Sequence, residues 1–278
     1  MDKAIHKEIF YYEALRTIVG VLAIAVAIIT TITYFFYTDL TLSLSNIPTS
    51  ISVTFHLGSV IPFVGILFIV ASFLFVFHGT SKTQFILTKL AGVFALLVAC
   101  FPTDINGRWI AMLMEENPLI LRDLPAKCKD LWEKSPDAQC NMYSWELTPE
   151  VHFTGAFGLI GILCILCFIF AYRTCKKEER YPQFKKQLLR RRVIYYICGI
   201  SMIASIGLRF LFADTTAPDD QSIFWVEVVC LIAFGISWLV AGLKIKVAGL
   251  SSGQEAEHTM SAVIDKKVIE KADDKKDI

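Results

Sequence analysis

Charge is scarce in this chain: 19% of its 278 residues are Asp, Glu, Lys or Arg, and 27 basic side chains nearly cancel 26 acidic ones. Without a basic excess there is no electrostatic basis for gripping nucleic acid, which excludes that partner. Histidine is rare too. The five, His6, His56, His78, His152 and His258, lie far apart, so none stands at the H-x-x-x-H spacing by which one helix presents zinc ligands. The sequence has no phosphate loop, no G-x-S-x-G turn and no Asn-x-Ser/Thr glycosylation acceptor. These absences point to no metal and no cofactor, name no reaction, and favour binding over catalysis.

What the chain has is apolar surface: 55% hydrophobic residues and a mean hydropathy of +0.54, beyond the range of ordinary soluble domains. A hydrocarbon core of roughly 30 Å needs about 20 apolar residues as helix. Six stretches meet that need: Thr17 to Phe36, Val53 to Phe77, Phe85 to Phe101, Val151 to Tyr172, Val193 to Ala213 and Ser222 to Leu243. The expected architecture is therefore all-α, a polytopic bundle of six transmembrane helices with a large loop between helices 3 and 4. An N-terminal segment (1–16), a membrane domain (17–246) and a polar, disordered tail (247–278) make up its organisation. The first span begins too far in and runs too long for a cleaved signal peptide.

Orientation follows from the basic residues of the short connections. RTCKKEERYPQFKKQLLRRR, Arg173 to Arg192, carries nine bases against two acids, which assigns this loop and both termini to the cytosol. Lys82, between spans two and three, falls on the same side. Opposite them, DTTAPDDQS, Asp214 to Ser222, holds three acids and no base. The loop from 102 to 150 is then lumenal, long enough to fold into short helices, and oxidising conditions there favour a disulfide between Cys128 and Cys140. Cys164 and Cys167 form C-x-x-C inside an apolar helix with no basic neighbour, where Cys acts as a small hydrophobe. The chain ends in KKDI. Lys275 and Lys276 stand where dilysine retrieval signals of endoplasmic reticulum proteins place their ammonium groups for a vesicle coat.

Polar residues inside spans are costly and ask for a partner or a task. Five spans each bring one to nearly the same lumenal depth: His56, Asp104, His152, Arg209 and Glu227. Span ends are where polar groups return, so five ordinary interfacial residues are the simplest account. The sharper expectation is a shared pocket, in which Arg209 pairs with Glu227 and His56, Asp104 and His152 face the opening. Such a pocket suits a lipid headgroup, with Arg209 on phosphate and the carboxylates on amines or hydroxyls. Gly58, Ser59, Gly65, Gly155, Gly158, Gly161, Ser201, Ser205 and Gly207 would let helices approach, and Pro62 would kink span two.

VACFPTD, Asn46-Ile47-Pro48 before span two, the His152-x-x-Gly155-Ala156 opening of span four and Glu227 near the start of span six together resemble one six-span family. It contains the damage-regulated autophagy modulators, the Frag-type protein of GPI-anchor lipid maturation and their fungal relatives. The resemblance implies an endomembrane protein of lipid handling or trafficking, with His152 and Glu227 as the positions carried over; the stretch around Cys128 and Cys140 departs from it. The expected function is binding, or assisting the remodelling or trafficking of, membrane lipids in the endoplasmic reticulum or Golgi. Two alternatives stay open: an adaptor or assembly factor for membrane protein partners, and a zinc-dependent lipid hydrolase.

Overall fold

The structure, a computed structural model, describes residues 2–78, 81–116, 126–135, 138–140, 147–213 and 220–243; for residues 2–13, Ser45, Arg108, Met114 and Glu116 only the backbone is described. Lys275, Lys276 and the rest of the tail lie outside the described residues. Among the described residues eight α-helices follow in order: α1 (Asp2–Thr38), α2 (Val60–Val76), α3 (Lys82–Cys100), α4 (Gly107–Glu116), α5 (Ala126–Lys134), α6 (Thr148–Arg180), α7 (Lys185–Phe212) and α8 (Ser222–Gly242). A ribbon of two short strands, β1 (Ile105–Asn106) and β2 (Gln139–Cys140), pairs antiparallel between α3 and α6.

Among the described residues five helical stretches are long and apolar enough to cross a membrane: Ala14–Thr38, Lys82–Cys100, Thr148–Arg180, Pro182–Phe212 and Ser222–Gly242. Lipid offers the backbone no hydrogen bonds, so apolar runs of this length satisfy their own as helix. α2 is apolar throughout but has 17 residues. At 1.5 Å per residue it reaches about 26 Å.

The second apolar stretch does not start as helix at Val53. A 3-10 helix, Ser52–His56, comes first; Gly58 then turns the chain at a φ of 89°, and α2 begins only at Val60. The Tyr37 side chain lies so close to Gly58 that a Cβ there would meet it at 2.3 Å. Pro62 falls in the first turn of α2, where no intrahelical bond needs its missing N–H, so it starts this helix instead of kinking it.

Around the bundle α1 packs on α2, α2 on α3, α3 on α6, α6 on α7 and α7 on α8, which closes the ring against α1. Neighbours alternate in direction. One end carries the ribbon and the other the α6–α7 hairpin. Leu74, Ala91, Ala95, Leu166, Met202 and Trp238 fill the centre, while Ile61, Ile197, Phe210 and other apolar side chains face outward. That is the signature of helices apolar on every side.

The backbones of α1 and α8 approach each other at glycines outside the expected set. A Cβ on Gly20 would sit 2.8 Å from the Gly235 carbonyl, and one on Gly235 would sit 2.7 Å from the Gly20 carbonyl. Of the expected glycines, Gly155 and Gly158 do admit α3, through Leu97 and Phe94. Gly65, Gly161 and Gly207 face open space, which a linear list of small residues cannot distinguish.

At the hairpin end, cations close helix C-termini, where unpaired carbonyls and the helix dipole concentrate negative charge. Arg16 donates to Ala241 O at 3.1 Å with its guanidinium over the rings of Phe77 and Phe170, and Arg191 donates to Leu243 O at 2.6 Å. Lys89 donates to the carbonyls of Leu74, Phe75 and Phe77.

Candidate functional site

The site is built on the way α3 ends. The helix stops at Cys100, Phe101 has extended backbone, and Pro102 has no N–H with which to continue. The carbonyls beyond the last turn then need donors from elsewhere. Two histidines supply them. His152 Nδ1, from the first turns of α6, donates to Phe101 O at 2.6 Å, and His56 Nε2, from the 3-10 helix before α2, donates to Thr103 O at 2.7 Å. A carbonyl only accepts, so these bonds place a proton on Nδ1 of His152 and on Nε2 of His56.

His56 lies outside the spanning helices and is largely buried. Burial pushes its imidazole down to about 4, against the Thr103 bond and with help from the charge of His152. Asp104, three residues past Phe101, has a buried Oδ1 without a hydrogen-bond partner. Burial raises its carboxyl above the usual range, and the Lys127 ammonium on α5 opposes that rise.

Glu227 takes a different role from the expected one. Its carboxylate accepts from the Ile51 backbone N–H at 2.5 Å and from Ser52 Oγ at 3.1 Å, so it caps the start of the 3-10 helix that carries His56. Negative charge is favoured at such a terminus. Phe224 N–H donates to Thr49 O at 3.0 Å and Gln221 Nε2 to Leu44 O at 2.8 Å, which ties the first turn of α8 to the 44–53 segment. Arg209 does not pair with Glu227. It pairs at 3.9 Å with Asp220, ahead of α8 in a loop from which a bridge across two spans was not needed, and leans on Phe210.

Four of the five expected residues therefore belong to one continuous structure. It runs from Glu227 through the 3-10 helix to His56, on to Thr103 and Phe101, and from there to His152, with Asp104 beside it. Arg209 stands apart, at the α7–α8 turn.

The ribbon and its helices cover this end. β1 and β2 pair Ile105 with Cys140 and Asn106 with Gln139, and the Cys128–Cys140 disulfide, Cα atoms 5.6 Å apart, ties α5 to β2. Trp109 follows a span end, where aromatic rings favour the membrane interface. It is instead 2% exposed, stacked on Tyr34 of α1 at 6.4 Å in a second core with Leu57, Ile105 and Leu113. Tyr34 in turn donates to Asn46 O at 3.0 Å. The sequence signal for this core was present in β-competent Ile105 and bulky Trp109 just after the span, but their partners on α1 lie some seventy positions away.

Beside this structure an apolar groove of about 410 Å³ runs between α1 and α8. Phe35, Trp225, Val228 and Ile232 line it, the 42–44 segment overhangs it, and outward-facing Ile28 and Ile32 border it. Among the described residues no three His, Cys, Asp or Glu side chains converge to hold a metal ion. Cys164 and Cys167 behave as packing residues: Cys167 is buried against Ser237 and Cys164 contacts Gly199 O.

Apolar helices, their alternating order and the disulfide-tied cap define an all-α, multi-pass membrane protein. No protein family, no curated protein and no solved structure matches this chain.

Proposed function

We propose that this is a six-span endomembrane protein of the endoplasmic reticulum or Golgi that binds lipids, or assists their remodelling or trafficking, through its ribbon end. Both termini would be cytosolic and the ribbon lumenal. Support for the sixth span comes from connectivity. α1 ends at the ribbon end and α3 starts at the hairpin end, so the chain crosses the bundle through α2. A shortfall of a few ångströms costs only fractions of a kcal/mol per Å, met by local thinning of the bilayer.

The observation that carries the lipid reading is the α1–α8 groove. An amphipathic ligand needs an apolar slot open to the bilayer and polar groups at headgroup depth, and both lie at this end. Asp104, with its unpartnered oxygen, and the Arg209–Asp220 pair are the headgroup contacts of choice. His56, His152 and Glu227 shape the site from behind by holding the backbone.

Co-purifying lipid tests it. Protein extracted in mild detergent should carry one lipid class enriched over bulk membrane by mass spectrometry. Val228→Trp, which fills the groove, should lose that enrichment, and Ile197→Trp on the outer face of α7 should keep it. Bulk composition in wild type, or unchanged enrichment in Val228→Trp, would refute the reading. Replacing Lys275 and Lys276 with Ser should release the protein to later compartments if the retrieval signal operates.

The disulfide-tied cap favours a second reading, an adaptor for membrane protein partners, since Met112 and Leu131 expose apolar surface there. Deleting residues 122–145 would then remove a co-purifying partner while leaving bound lipid in place.

A further inference from the structure

The α6–α7 hairpin holds nine basic residues between Arg173 and Arg192, and the structure divides them into two groups. Three arginines are half-buried. Arg173 donates to Gln84 Oε1 at 2.7 Å, Arg191 to Leu243 O at 2.6 Å, and Arg192 pairs with Glu178 at 3.3 Å. The other six, Lys176, Lys177, Arg180, Lys185, Lys186 and Arg190, are exposed, with Glu179 as the one exposed acid between Arg173 and Arg192. The face is therefore strongly positive although the chain as a whole is nearly neutral.

Its height above the bilayer can be read from the helices. On α6 the outward face is apolar up to exposed Tyr172, and on α7 it turns apolar again at exposed Leu189 and Val193. Lys176 and Lys177 follow Tyr172 by about 6–8 Å of helix rise, and Lys186 and Lys185 precede Leu189 by about 4–6 Å. Those distances lie within a Debye length of roughly 8 Å at physiological salt. Lys176 also bends back toward the boundary, with its ammonium 4.8 Å from the Tyr172 ring. Side chains of α6 lean toward its N-terminus, which lies in the direction of the bundle.

We propose that these exposed basic side chains bind anionic phospholipid headgroups of the leaflet from which the hairpin emerges. A lipid surface fits better than an acidic protein or a nucleic acid. The charges are fixed at headgroup height beside apolar anchors, and lysine, a mobile point charge, suits phosphate groups that diffuse past. This site is at the opposite end from the groove and does not depend on it.

Electron paramagnetic resonance on the full chain, reconstituted in phosphatidylcholine, tests the proposal with spin-labelled phosphatidylserine and spin-labelled phosphatidylcholine. Wild type should immobilise the serine lipid with about fivefold preference at low salt, falling toward equality as NaCl is raised. Lys176→Gln, Lys177→Gln, Lys185→Gln and Lys186→Gln combined should abolish the preference at unchanged helicity, whereas Val228→Trp should retain it. If the combined variant loses helicity, the salt dependence of wild type decides. Equal immobilisation of both lipids by wild type, a preference insensitive to salt, or one that survives the four substitutions would overturn it; equality would leave an acidic protein as the partner to seek.

Discussion

Lowering the pH should loosen the ribbon end through His56. In the folded protein its imidazole is held down to about 4 by burial, whereas the unfolded chain titrates near 6.5. Between these values the unfolded state binds the extra proton, so stability falls as pH drops through the window and levels off below it. From about pH 7.5 to about pH 4.5 the loss from this one group is about 2–3 kcal/mol. For a chain of this size that is a fall of about 5–10 °C in the unfolding temperature. Asp104 acts in the opposite sense, because burial raises its carboxyl and the fold gains as that group takes up a proton. The His56 share is therefore isolated by His56→Gln, whose amide still donates to Thr103 O but does not titrate. The assay is thermal unfolding in detergent, followed by the fluorescence of buried Trp109 and Trp238. Wild type should lose more stability on acidification than His56→Gln. Parallel pH curves for the two proteins would refute the assignment.

Three further outcomes follow from the packing. Gly235→Val should cost about 1–3 kcal/mol by forcing α1 away from α8, since its first added carbon already lies 2.6 Å from Ile24 Cγ1; Gly207→Ala, with nothing within 4 Å, should leave the unfolding temperature unchanged or raised. Glu227→Gln should cost about 1–3 kcal/mol, because an amide nitrogen cannot accept from the Ile51 N–H or Ser52 hydroxyl, and amide exchange at Ile51 should accelerate. Cys128→Ser with Cys140→Ser should destabilise the cap by about 3 kcal/mol, visible as proteolysis within the cap while the helical bundle stays intact.

Much of this protein is written locally in its sequence. The apolar runs determine where helix must form, because a backbone in lipid has no other donor or acceptor available. α8 starts at the residue expected and ends one residue early, and α3 is displaced by only a few. The pairing of Cys128 with Cys140 was legible because the two lie 12 residues apart in one compact loop. Local information fails where a partner is distant. Gly20 and Gly235 look like any other small residues until α8 closes against α1, and Gly207 looks the same while touching nothing. His56, Asp104, His152 and Glu227 were recognisable as costly groups at one depth, but not what satisfies them. Two histidines donate to carbonyls that Pro102 leaves open, and Glu227 caps a 3-10 helix that hydropathy assigned to a span. Arg209 went to Asp220, which stands in the turn before α8. Hydropathy thus determined which segments enter the membrane, whereas only the closed ring decided which polar atoms meet, because hydrogen bonds act over a few ångströms between residues that the chain keeps far apart.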